Sequence, residues 1–267
     1  MGTRNRAVLT AAALLLAAGT ARAEGLRDLC PDRPGMGTPP CTMDPGHVQF
    51  ELGLGDWTLT RQGGDREDDL ATGDLLVRYG LTSDLEMQVA WTAYTHIRTR
   101  TGNAVAHRAG AGDVRIALRR NLHNPDGSGF SIALMPYVSL PTGRDGIGAG
   151  DWGAGMLVPV TYALPHGLSL DLTAEADAAV DADGNGRHLA YSAVFGMDVK
   201  LTEKLSGTAE LAVARDEDPS GHANQVLAGL SADWTPSANT QFDVGTNIGL
   251  DRNAPDAELY FGVVRRF

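Results

Sequence analysis

Residues Leu168 to Ala178 set a pattern that recurs along most of the chain. Leu168, Leu170, Leu172, Ala174, Ala176 and Ala178 alternate with Ser169, Asp171, Thr173, Glu175 and Asp177. A period of two places these sets on opposite faces of a strand, whereas a helix would scatter the carboxylates around its circumference. Val48, Phe50, Leu52 and Leu54 stand in the same way against Gln49, Glu51, Gly53 and Gly55. Leu85, Met87, Val89 and Trp91 oppose Glu86, Gln88, Ala90 and Thr92, and Val114, Ile116 and Leu118 oppose Asp113, Arg115 and Arg119. About twelve strands are predicted, near 47–61, 69–80, 84–100, 108–123, 129–141, 151–164, 167–181, 188–202, 204–215, 222–236, 239–252 and 256–267.

The links between these segments alternate in length. Leu81–Ser83, Asn124–Ser128, Pro165-His166, Thr202-Glu203 and Pro236-Ser237 are tight. Between them fall longer, Gly- and Asp-rich links at 62–68, 101–107, 142–150, 182–187, 216–221 and 253–255. Short turns at one end and long loops at the other mark an antiparallel transmembrane β-barrel, with the short side periplasmic. An even strand number then puts both termini in the periplasm. A soluble sandwich has no reason to lengthen every second loop, and a lipocalin-like barrel needs about eight strands with its apolar face inward. Here the polar face carries too many full charges for a dry core, so it is expected to line a wet lumen.

The charges on that face form the candidate site. The register turns Glu51, Asp74, Arg78 and Glu86 inward, then Asp113, Arg115 and Arg119. Further along it turns in Asp171, Glu175, Asp177, Asp198 and Lys200, and finally Glu210, Asp233 and Asp243. Such a lining tunes solute choice by charge. The alternative is a net of ion pairs that plugs a narrow barrel, since twelve strands lie between filled eight-stranded barrels and open porins.

Composition fixes the compartment. Arg4 and Arg6, an apolar run from Ala7 to Ala18 and Ala21-Arg22-Ala23 read as a signal peptide over 1–23. The net charge of −11 becomes more negative once its three arginines are lost, which excludes a nucleic-acid partner. Cys30 and Cys41 are the only cysteines. They bracket a Pro/Gly-rich stretch within 24–46, read as a periplasmic segment closed by a disulfide at the barrel mouth. The barrel itself is assigned to 47–267. The expected partners are outer-membrane lipid, a small-molecule solute and the barrel-assembly machinery, the last through the terminal strand that ends in Phe267.

Several stretches together resemble an outer-membrane channel family named for the meta-cleavage pathway of phenol degradation. They are Asp44-Pro45-Gly46-His47, Tyr79-Gly80-Leu81-Thr82-Ser83-Asp84-Leu85-Glu86, Gly110-Ala111-Gly112-Asp113 with Arg119, and Ser139-Leu140-Pro141-Thr142-Gly143. The resemblance implies a passive channel for small, often aromatic or apolar, compounds, with no cofactor.

Two loop features offer other chemistry. Asp181-Ala182-Asp183-Gly184-Asn185-Gly186 matches the opening of a calcium loop, but Ser192 stands where the closing glutamate belongs and strands flank it, so an ordinary Asp/Gly turn is expected and no metal. Asp181, Asp183, His188, Asp216, Asp218 and His222 fall on outer loops, where a His–Asp pair could serve an outer-membrane enzyme as general base. No Gly-x-Ser-x-Gly nucleophile motif accompanies them, and the chain is read as a non-enzyme.

Overall fold

The computed structural model describes residues 25–267, so the expected signal peptide lies outside the described residues. The chain forms β1 (Val48–Gln62), β2 (Asp65–Thr82), β3 (Leu85–Thr101), β4 (Ala104–Gly110), β5 (Val114–His123), β6 (Phe130–Leu140) and β7 (Gly153–Leu164). A 3-10 turn at Pro165–Gly167 leads to β8 (Leu168–Val180), β9 (Arg187–Lys200), β10 (Leu205–Asp216), β11 (Ala223–Ser237), β12 (Thr240–Gly249) and β13 (Ala257–Arg266). Every ladder is antiparallel, and β13 pairs with β1 from Gln49↔Arg266 to Leu59↔Ala257, which closes the sheet into a barrel without edges along its main wall.

The wall has twelve staves made from thirteen strands. β4 and β5 share one stave, both pairing with β3, from Thr101↔Ala104 to Thr95↔Gly110 and from Trp91↔Val114 to Leu85↔Arg120. Ala111-Gly112-Asp113 leaves the ladder between them. The Asp113 carboxylate accepts the amides of Gly143 and Ala149, both at 2.7 Å, and so holds the β6–β7 loop against the break. Asp113 therefore organises a loop.

β1 bulges between Gly53 and Gly55, and Gly73 of β2 takes φ +71° at the same level. A side chain on Gly55 would come 2.9 Å from the Phe261 ring. The bulge shifts the alternation: Leu52 and Leu54 face outward, but beyond it Trp57, opposite Leu70 and Leu259, is the outward residue. Asp56 consequently points inward.

Two of the expected long loops are two-residue turns. Gly63-Gly64 joins β1 to β2 and Gly102-Asn103 joins β3 to β4. Near these tips the outward face carries Arg66, Asp68 and Arg98, with Arg66 and Arg98 at 2.6 and 3.6 Å from Asp68. Both faces are polar there, so the apolar alternation disappears although the ladder runs on to Gln62↔Asp65.

Below the tips the outer surface is apolar. Leu70, Phe195, Leu211, Leu230, Leu259 and Phe261 are exposed, a belt beyond what soluble monomers show. On β2 it runs from Leu70 to Tyr79, close to the ~9–11 residues of a tilted crossing. Tyr79, Phe130, Tyr162, Trp234 and Phe242 ring the short-turn end, where Trp234 and Phe242 stack with centroids 5.7 Å apart. Such aromatics suit an interfacial girdle.

Candidate pore and its N-terminal insert

Residues 25–46 have no period-two pattern and form no strand. They do not stay at the barrel mouth. The disulfide Cys30–Cys41, with its Cα atoms 6.5 Å apart, closes a loop that enters the barrel and bonds to staves on opposite sides. A segment without ladder partners must satisfy its backbone groups elsewhere, and here the inward side chains of the strands do so.

Four inward charges from the sequence reading converge on this loop: Glu51, Arg78, Glu86 and Arg119, all with side chains at most 1% exposed. Arg78 grips Glu86 with Nε and Nη2 at 2.9 and 3.1 Å, and its Nη1 donates to Cys30 O, Asp32 and Glu51 at 2.6, 3.2 and 3.2 Å. The Nη2 of Arg119 donates to both oxygens of Asp32, at 2.7 and 2.8 Å, and its Nη1 to Cys41 O at 3.2 Å. Glu51 accepts the amides of Asp32 and Arg33, and Glu86 that of Met43. Burial pushes the Asp32 carboxyl up, but Arg119 and Arg78 together hold it below its ordinary range.

Across the lumen, Glu210 accepts the amides of Met36 and Gly37, each at 2.8 Å. Gly35 has φ +113°, and a side chain there would lie 2.8 Å from a Glu210 oxygen, so glycine permits this approach. Arg33 reaches Asp243 at 3.0 Å, and Thr38 exchanges hydrogen bonds with Thr173.

The insert does not fill the section. A cavity of about 800 Å³ lies between it and the wall of β8–β11, lined by Asp171, Asp198, Lys200, Glu210 and Asp233. Glu203, Lys204 and Pro236 of the short turns also border it, so it opens at that end. Asp171 and Asp198 sit close enough for Ser169 Oγ to lie 3.5 and 3.2 Å from their carboxylates. Elsewhere on the inner wall, Tyr137 donates to Glu175 at 2.7 Å while the Arg115 guanidinium lies 3.9 Å from the Tyr137 ring centroid. Asp177 borders a smaller hollow with Ser192 and Asp216, and Asp74 accepts from Thr92 at 3.0 Å.

Sequence reasoning missed four charges in this region. Asp32 and Arg33 lie in the unpatterned insert. Asp56 is hidden by the bulge. Glu258 was legible from its place beside outward Leu259; inside, it accepts from Asn247 at 2.8 Å.

At the opposite end, the β8–β9 and β10–β11 loops meet. His188 lies 2.9 Å from Asp181, 3.0 Å from Asp216 and 3.5 Å from Asp218. A hydrogen bond from the Ser220 hydroxyl, with the amides of Ala182 and Ser220, pulls the Asp218 carboxyl down to about 2. Asp183 instead accepts its neighbour Asn185 N, and His222 pairs with Glu217 at 2.8 Å. Ser220 donates to Asp218, so these contacts do not form a serine–histidine couple.

Residues 31–267 match the family described as "Putative MetA-pathway of phenol degradation". The chain belongs to this family. An outer membrane channel from Pseudomonas putida F1 superposes with a TM-score of 0.67 at 18% identity, over 88% of this chain and 99% of that one. The beta domain of the Bordetella autotransporter BrkA gives 0.54 at 13% identity, over 84% and 100%. The NanC porin gives 0.51 at 8% identity, over 82% and 98%. Among curated proteins nothing matches. At these identities the structural likeness establishes the outer-membrane barrel architecture of this member of the phenol-degradation family.

Proposed function

We propose that this barrel is a passive channel of the bacterial outer membrane, with its short-turn end in the periplasm and its conduction path narrowed by the insert. The observation that carries this reading is the cavity of about 800 Å³ left between the insert and β8–β11. Its wall carries Asp171, Asp198, Glu210 and Asp233 against Lys200 and Arg266 among the strand bases. An acidic lining lowers the energy of cations, raises that of anions and leaves neutral solutes little affected. The family description favours small aromatic compounds as the natural cargo.

The buried Arg78–Glu86–Arg119 net supports a second reading, a barrel kept closed by its insert. Planar-bilayer recording distinguishes the two. Small, stable conductances from the full mature chain support the channel, and their absence, with currents appearing only when 25–46 is deleted, supports closure. Reduced uptake of a neutral phenolic compound by a deletion strain, restored by the gene, would support the proposed cargo. Unchanged uptake would remove it.

A further inference from the structure

We infer that the outer loops form a binding site for a divalent transition-metal ion, held by Asp181 Oδ, His188 Nδ1 and Asp218 Oδ2. These three residues offer one ligand atom each, all within 4.8 Å of one another. The 2.9 and 3.5 Å separations from Nδ1 to Asp181 and Asp218 are those expected between ligands on one ion about 2.0–2.2 Å from each. His188 points inward, because its neighbour Leu189 is exposed on the outer surface. The site therefore lies at the lumen's outer mouth.

The buried imidazole is the independent sign of a ligand. Its side chain is 6% exposed, and Nε2 makes no hydrogen bond of acceptable geometry although Asp216 stands 3.0 Å away. Metal on Nδ1 would fix the proton on Nε2 and turn it toward Asp216, the carboxylate–histidine–metal arrangement that orients ligands and raises their basicity. The loops are already tied together: Ala182 N donates to Asp218 Oδ2 at 2.6 Å, and Glu217 N to Leu189 O at 3.1 Å. Gly186 has φ +115°, and a side chain there would come 2.6 Å from Asp181 Oδ2. The calcium-like stretch thus contributes one ligand, not a loop of oxygens. A mixed nitrogen and oxygen set suits zinc or its first-row neighbours rather than calcium. Water would complete the coordination.

The test is calorimetric titration of the tag-free, detergent-solubilised barrel with Zn²⁺, then with Ca²⁺. One Zn²⁺ per chain is expected, undisturbed by excess Ca²⁺. His188→Ala and Asp218→Asn should each weaken binding at least ~100-fold, while Asp216→Asn should weaken it ~10–100-fold as an outer partner. Asp183→Asn should leave it unchanged. A His96→Ala/His107→Ala double variant controls for the exposed histidine pair, whose rings stack 5.3 Å apart. Heat-dependent gel migration must show that each variant is folded; Asp218→Asn serves if His188→Ala is not. No Zn²⁺ binding, or binding that survives His188→Ala and Asp218→Asn, overturns the site.

Discussion

Arg78 shows how a lumen charge becomes a structural one. It serves three carboxylates, Glu51, Glu86 and Asp32, and two carbonyls of the insert; Glu51 and Glu86 are out of contact with solvent and Asp32 is mostly so. Removing one partner of such a net strands the others as buried charges, at a cost of about 3–5 kcal/mol. Arg78→Ala should therefore release the insert, with amide exchange at Asp32 and Arg33 rising more than ~100-fold. Arg78→Lys should recover little, because a point charge cannot make the forked set of bonds. Unchanged exchange in Arg78→Ala would show that the net does not hold the insert. The pH dependence follows from Asp32. Its carboxyl, ordinarily near 3.8, is lowered when docked. Its contribution is present above the ordinary value and is lost as pH falls through the docked one. Insert release should begin only below about pH 4, measured as amide exchange against pH. Release between pH 5 and 7 would assign control to another group.

The insert and the hairpin tips are the elements where sequence and structure part company. The disulfide closes a short loop and contributes about 3 kcal/mol at most in the chain-entropy description. The barrel wall does not depend on it, since its ladder closes through β1 and β13. Reduction, or Cys30→Ser/Cys41→Ser, should leave heat-dependent gel migration intact while increasing current fluctuations, because both cysteine carbonyls are acceptors for the two arginines. A barrel that unfolds on reduction would contradict this division. The strands were legible because lipid on one side and charges on the other impose a period of two. The tips of β1–β4 were not, because water on both sides leaves no apolar face to count. The insert was least legible of all. Pro31, Pro34, Gly35 and Gly37 look like linker, and what positions them is written in distant strands, as Glu51, Arg78, Glu86 and Arg119. Those inward positions could be read from parity; their purpose could not, since a wet lumen and a folded-in segment ask the same residue types of the wall. Asp181, His188, Asp216 and Asp218 could be grouped on neighbouring outer loops from the sequence, but the contacts that separate them from Asp183 and His222 depend on how the two loops fold.

For the whole molecule the decisive quantity is the field inside the barrel. Arg78 and Arg119 are committed to the insert, so their charge is cancelled locally. Glu51, Glu86 and Asp243 are matched as well. Around the open cavity Asp171, Asp198 and Asp233 take hydrogen bonds from Thr161, Thr208 and Thr235. Hydroxyl donors orient a carboxylate without cancelling its charge, so in the proposed channel these acids would set selectivity, whereas Glu175 is engaged by Tyr137 beside Arg115. Reversal-potential measurements across a salt gradient should show potassium favoured over chloride. Asp171→Asn/Asp198→Asn should reduce that ratio at least ~2-fold, and more than Glu175→Gln, if field focusing by the low-dielectric wall sets selectivity. The preference should also fade with salt, since the Debye length falls from about 10 Å at 0.1 M to about 3 Å at 1 M. A ratio unmoved by the double variant would place the conduction path away from β8–β11. Chloride preference in the parent would mean that arginines, freed from the insert, line the path instead.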